Sequence, residues 1–235
     1  MKELLNKRHD EQEESHWLSV ADLMAGLMMV FLFIAIALMR DAFIERDQIK
    51  QVAVAYQENQ VAIYDALSSE FKKDLERWNA DIDEDTLTFT FKSPEVLFKT
   101  GEFDLSSQYK ALLLNFFPRY MEVLGPFHPS INEVRIEGHT SSRWNKYVSN
   151  KEAYFKNMSL SQGRTRSVLE FIYDIPKTKK YTPWIKSTIA AVGLSSSRPV
   201  FNGDGKEDQS KSRRVSFRVI TNADIQIKRI LEASE

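Results

Sequence analysis

The alternation of apolar and polar residues changes character three times along the chain. From position 18 to 39 it reads LSVADLMAGLMMVFLFIAIALM, apolar around the whole circumference of a helix and interrupted by one charge, Asp22. At about 1.5 Å per residue this run is about 33 Å long, the thickness of a bilayer core, and it predicts a transmembrane helix over 17–40. Trp17 and Arg40 stand at its edges, residue types that settle at membrane interfaces. The preceding Asp10, Glu11, Glu13 and Glu14 are acidic where a secretory signal is basic, and no small-residue cleavage site follows, so the run reads as an anchor.

From 41 to 80 the chain is polar, with Ile63, Leu67, Phe71, Leu75 and Trp78 on one helical face. Neither Gly nor Pro occurs between positions 40 and 93, which predicts a helical stalk and not a coil. Val52, Ala53 and Tyr56 form a weaker stripe nearer the membrane; a plug that packs conditionally and a plain solvated spacer both fit it. After the acidic stretch 81–85 the period drops to two, Leu87, Phe89 and Phe91 alternating with threonines as in a strand. A helix over 106–124, a strand over 134–138, a helix over 161–173, a strand over 188–192 and a last strand through Val215, Phe217 and Val219 follow. This order predicts an α/β domain, helices packed on a mixed sheet, with crossovers where neighbouring strands are parallel. The expected organisation is a tail (1–16), a transmembrane helix (17–40), a helical plug or linker (41–80) and a folded domain (81–235).

Composition adds mainly exclusions. Lys plus Arg (32) and Asp plus Glu (33) leave a formal net charge of -1, which gives no reason to expect direct binding of nucleic acid. The absence of cysteine removes disulfides, thiolate metal sites and cysteine nucleophiles. The four histidines, at 9, 16, 128 and 139, lack metal-motif spacing, and no serine and aspartate are placed to complete a triad with His139. The expectation is a non-enzymatic protein without metal or cofactor. Lys2, Lys7 and Arg8 balance Arg40, Arg46 and Lys50, so flanking charge leaves the orientation open.

Asp22 is the candidate that carries chemistry. An aspartate in mid-membrane costs about 2.5–3.5 kcal/mol on insertion scales, and such residues usually face a partner or an aqueous path. Lipid disfavours the charged form of a carboxyl group, so an acid there can load a cation on one side and release it on the other. One helix cannot enclose a pathway; further helices are required, and Ala21, Ala25 and Gly26 would let them approach closely.

Three stretches in the folded domain carry a resemblance: ValLeuPheLysThrGly at 96–101 with Leu105, IleGluGlyHisThr at 136–140, and Asn157, Leu160, Ser161 and Arg164 with Val168 and Phe171 behind them. With the closing ArgArgValSerPheArgVal at 213–219, this ordered set resembles the OmpA-like peptidoglycan-binding domain over about residues 86–221. Such a domain behind one helix with an early aspartate resembles the MotB class of stator subunits, and the wording of the helix is most similar to the stator-like subunits of Zorya anti-phage defence systems.

The resemblance implies a fold, an OmpA-like α/β sandwich, and a place, the bacterial inner membrane with the N-terminus cytoplasmic and the domain periplasmic. It implies a homodimer inside a ring of a larger multi-helix subunit, ZorA, that turns as H+ or Na+ passes Asp22 while the cell wall holds this chain still. A flagellar stator and a passive membrane-to-wall tether are the alternatives. It also implies a peptidoglycan site at His139, Thr140, Asn157, Leu160, Arg164 and Arg214. In the family an aspartate after GlyHisThr and the arginine at position 164 hold the diaminopimelate of the wall peptide; opposite charges suit a zwitterion, and arginine pairs bidentately with carboxylate. Here the aspartate position is Ser141, and the interval to Asn157 is long, with Glu152 as a substitute acid. Asn157 fits a helix cap as well as a ligand contact. Arg213 and Arg214 alternate across a strand, so at most one faces the ligand.

Overall fold

A computed structural model describes the backbone of residues 2–92, 97–99 and 101–222, and within these the side chains of Trp17 and of position 20 onward. Val96 and Thr100 of the first motif, the side chains of the 1–16 tail and residues 223–235 lie outside the described residues. The description falls into two compact units, divided between Val52 and Ala53.

Helix α1 (Lys2–Phe71) supplies all that is described of the first unit. From position 20 to 40 every side chain is exposed, Leu23 at 73%, Met28 at 70% and Phe33 at 68% among them. An apolar surface on all sides of a helix, covered by none of the described residues, belongs in lipid. By length and composition this helix is able to cross a membrane.

The second unit is built on a five-stranded sheet of order β1-β2-β5-β3-β4. Its strands are β1 (Ala80–Asp83), β2 (Thr88–Phe91), β3 (Ile131–His139), β4 (Ile189–Gly193) and β5 (Arg214–Thr221). All neighbours are antiparallel except β3 and β4, which are parallel and therefore need a crossover. That crossover contains α3 (Asn150–Tyr173) and α4 (Thr182–Thr188); α2 (Ser107–Leu124) precedes β3 and a short α5 (Gln209–Ser212) precedes β5. The predicted mixed sheet with helices layered on it is thus the architecture found.

Strand periodicity divides the sheet into two unlike faces. Phe89, Phe91, Val134, Ile136, Val215, Phe217 and Val219 are buried on one, against Leu113, Phe116, Phe117 and Tyr120 of α2. Phe116 meets Phe89, Phe91 and Phe217 at ring-centroid separations of 4.7, 5.1 and 5.1 Å. The other face carries Thr88, Thr90, Glu137, His139, Arg214, Ser216 and Arg218. Helix α3 covers β3 and β4 at glycine positions: a Cβ on Gly138 would stand 2.8 Å from the Ser161 carbonyl oxygen, and one on Gly193 would stand 2.5 Å from the Gln162 nitrogen.

The end of α1 also belongs to this unit. Ile63, Leu67 and Phe71, read from sequence as the face of a stalk, have no exposed surface and join the aromatic core, Phe71 lying 5.3 Å from both Phe89 and Phe116. Arg119 of α2 donates through Nε to Glu70 at 2.6 Å and through Nη1 to Asp74 at 2.7 Å, clamping the helix end. The sequence-derived boundary at 80 therefore falls inside a packed unit. Helix α3 likewise begins eleven residues before the expected 161, because Ser149 caps it by accepting from the Glu152 backbone N–H at 3.2 Å.

Candidate functional site

At the carboxyl end of β3 the chain leaves the sheet, and its next residues are fixed to α3 and to the loop after β4. Thr140 N–H donates to the Ser195 carbonyl at 2.9 Å, and Ser195 N–H donates to the Ser161 hydroxyl at 3.1 Å. Asn157 Nδ2 donates to the Ser141 carbonyl at 3.1 Å. Asn157 lies inside α3 and so caps no helix; through this bond it holds the loop that follows Thr140.

The fixed loop walls a cavity of about 180 Å³ lined by Phe98, Gly101, Thr140, Ser141, Arg143, Trp144, Asn157, Leu160, Arg164 and Arg213. Arg164 is buried; its Nε donates to the Glu102 carbonyl at 3.0 Å, its Nη2 to the Lys99 carbonyl at 3.3 Å, and its guanidinium lies 4.8 Å from the Phe98 ring centroid. Arg213 Nε donates to the Gln209 carbonyl at 3.1 Å. The hydroxyl of Thr140 is buried with no hydrogen-bond partner. Of the residues named from sequence, Thr140, Asn157, Leu160 and Arg164 meet around this one cavity.

His139 and Arg214 do not. They are register partners on β3 and β5 and point to the open face of the sheet, where they line a separate cavity of about 400 Å³ with Glu137, Arg198 and Arg218. Strand alternation is the reason: Thr140 and Arg213, one position away from each, take the cavity side. His139 forms a buried pair, its Nε2 3.5 Å from Glu137 Oε2 and its Nδ1 without a hydrogen-bond partner. Burial lowers the His139 pKa against the opposing pull of Glu137. Burial works to raise that of Glu137, yet His139, Arg198 and Arg218 hold it below the usual carboxylate value.

Glu152, the substitute acid suggested by sequence, sits in the first turn of α3 and pairs with Lys156 at 2.9 Å on an exposed surface. Sequence reasoning did not assign Phe98, Arg143 or Trp144 to the cavity, and of the alternating pair Arg213 and Arg214 it assigned Arg214 where Arg213 lines the cavity. The signal for two of them was present, since Arg143 and Trp144 open the long interval after Ser141. It also missed Glu207, whose carboxylate accepts from the Ser142 N–H at 2.9 Å and from the Ser142 hydroxyl.

In the first unit Asp22 is exposed on the apolar helix, as are Ala25 and Gly26, three and four residues on and hence on the same side. A Cβ on Gly26 would meet nothing within 4 Å.

No protein-family model matches the chain. It is 52% identical over 222 residues, 94% of each chain, to the Zorya protein ZorB of Escherichia coli. It is 29% identical over 152 residues, 64% of this chain and 75% of the relative, to the peptidoglycan-associated lipoprotein of Buchnera aphidicola. Among solved structures, a MotB-like protein from Desulfovibrio vulgaris superposes with a TM-score of 0.46 at 20% identity, covering 75% of this chain and 94% of that one.

Proposed function

The chain belongs to the ZorB family of Zorya proteins, and from that membership we propose that it is the wall-anchored, stator-like subunit of an ion-driven membrane motor in anti-phage defence. In this reading Asp22 binds and releases the driving ion, H+ or Na+, and two copies of the helix stand inside a ring of a larger ZorA-like subunit. The α/β unit lies in the periplasm and grips peptidoglycan through the Thr140–Arg164 cavity, so that the ring turns against a fixed axle. No covalent bond is made or broken.

The observation that carries the reading is Asp22, one charge in an otherwise apolar run whose side chains are exposed all round. A passive tether needs the run but not the acid, and an unneeded intramembrane carboxylate costs insertion energy. Support for the wall anchor is the cationic cavity and the ordered motifs that surround it. Asp22→Asn keeps size and polarity but cannot exchange a proton. Co-expressed with its membrane partner, the variant is expected to insert and assemble normally and to lose protection in phage plating assays. Full protection by Asp22→Asn would leave the tether as the better reading.

A further inference from the structure

We propose that the groove between α2 and α3 is a docking site for a basic, amphipathic helix of a partner protein. One stripe of α3 runs along the helix at spacings of three and four, through Asn157, Leu160, Arg164, Ser167, Phe171 and the capping Asp174. Its first three members line the Thr140–Arg164 cavity, and its last three line a separate, open groove of about 640 Å³. The opposite bank is α2, with Lys110 and Leu114 one turn apart. The groove shares no lining residue with the cavity, so the proposal stands whether or not that cavity grips the wall.

Two features define the occupant. The groove is apolar along Leu105, Leu114, Phe171, Ile175 and Pro176, and Leu114 leaves 47% of its surface open to solvent. Around it stand the exposed Asp104, Glu170 and Asp174, three acids against the one lysine, Lys110. Among the described residues none of these three carboxylates has an ion pair or a hydrogen bond; Arg166 and Lys177, close by in sequence, do not pair with them. Glu70, Glu122 and Glu152, by contrast, each face a cation. The uncompensated charge around an apolar trough attracts Lys and Arg and repels an anionic lipid surface. From Ser167 to Asp174 the bank is about 10.5 Å long, room for two turns of a helix lying alongside. Such a helix seats apolar residues at i, i+3 or i+4 and i+7 in the groove, and cations on its flanks meet the carboxylates and fix its orientation.

The test uses the full chain in an uncharged detergent and two labelled helical peptides of about 15 residues. Both carry leucines at i, i+3 and i+7; one has lysines on its flanks and its twin has glutamates there. By fluorescence anisotropy at low salt, the lysine peptide is expected to bind about tenfold more tightly than the twin, and added salt is expected to narrow the difference. Leu114→Ser is expected to weaken the lysine peptide about fivefold. Glu170→Lys combined with Asp174→Lys, both at exposed positions, is expected to reverse the preference, a gain that an unfolded unit cannot produce. Equal affinity for the two peptides, or an unreversed preference in the double variant, overturns the inference. So does sedimentation showing that the unaltered chain associates beyond a dimer and that Leu114→Ser abolishes this, since the groove would then be filled by another copy of the chain.

Discussion

Gly138, His139 and Thr140 are consecutive, yet each serves a different neighbour. Gly138 lets α3 approach β3, because any Cβ there would collide with the Ser161 carbonyl and the Thr165 methyl group, both at 2.8 Å. His139 turns to the open face and pairs with Glu137, while Thr140 turns to the arginine cavity. The buried pair has a consequence for stability against pH. An unfolded histidine takes up its proton near pH 6.5, and folded His139, buried and close to Arg214 and Arg198, resists doing so despite the pull of Glu137. The unfolded chain therefore binds more protons as the pH falls through that range, and stability conferred by the neutral imidazole is full above it and lost below it. The lowered Glu137 pKa acts in the same direction at more acidic pH, its contribution disappearing as pH falls through the folded-state value. Thermal unfolding between pH 7 and pH 5 is expected to show a falling midpoint, and His139→Asn is expected to flatten that fall. An equal slope in the variant would show that His139 does not take part in the linkage.

At the scale of elements, the decisive feature is that the last turns of α1 are core to the α/β unit. Phe71→Ala removes a fully buried ring from an aromatic cluster and is expected to destabilise the unit by about 3–5 kcal/mol, measured by denaturant unfolding. A chain shortened to begin at position 81 should fail to unfold cooperatively, whereas one beginning at Ala53 should do so; cooperative unfolding of the shorter chain would make this helix end dispensable. The strands β2, β4 and β5 and helix α2 were readable from sequence within a residue or two, because their period is set by one buried face. β1 was not, since its AlaAspIleAsp carries only two apolar residues and looks like an acidic turn. The destination of Ile63, Leu67 and Phe71 was equally hidden, because an apolar stripe shows that a helix is covered but not by what. For the same reason the motif residues gave the neighbourhood of the cavity, while the side of the sheet taken by His139 and Arg214 depended on where each strand stops.

At the scale of the whole molecule the proposal requires the α/β unit to stand outside the inner membrane, since a motor subunit that grips the wall must reach it. Flanking charge does not impose this orientation, because Lys2, Lys7 and Arg8 on one flank balance Arg40, Arg46 and Lys50 on the other. The chain contains no cysteine, so a single introduced thiol reports its own position without background. Gly203 suits the purpose: it is exposed, and a Cβ there would meet nothing within 4 Å, so Gly203→Cys should leave the fold undisturbed. Asn6→Cys marks the opposite end of the anchor. In cells with a permeabilised outer membrane, a membrane-impermeant maleimide is expected to label Gly203→Cys, and to label Asn6→Cys only once the inner membrane is broken. The reverse pattern would put the arginine cavity in the cytoplasm, away from any wall, and an ion moving past Asp22 would then have no fixed body to work against.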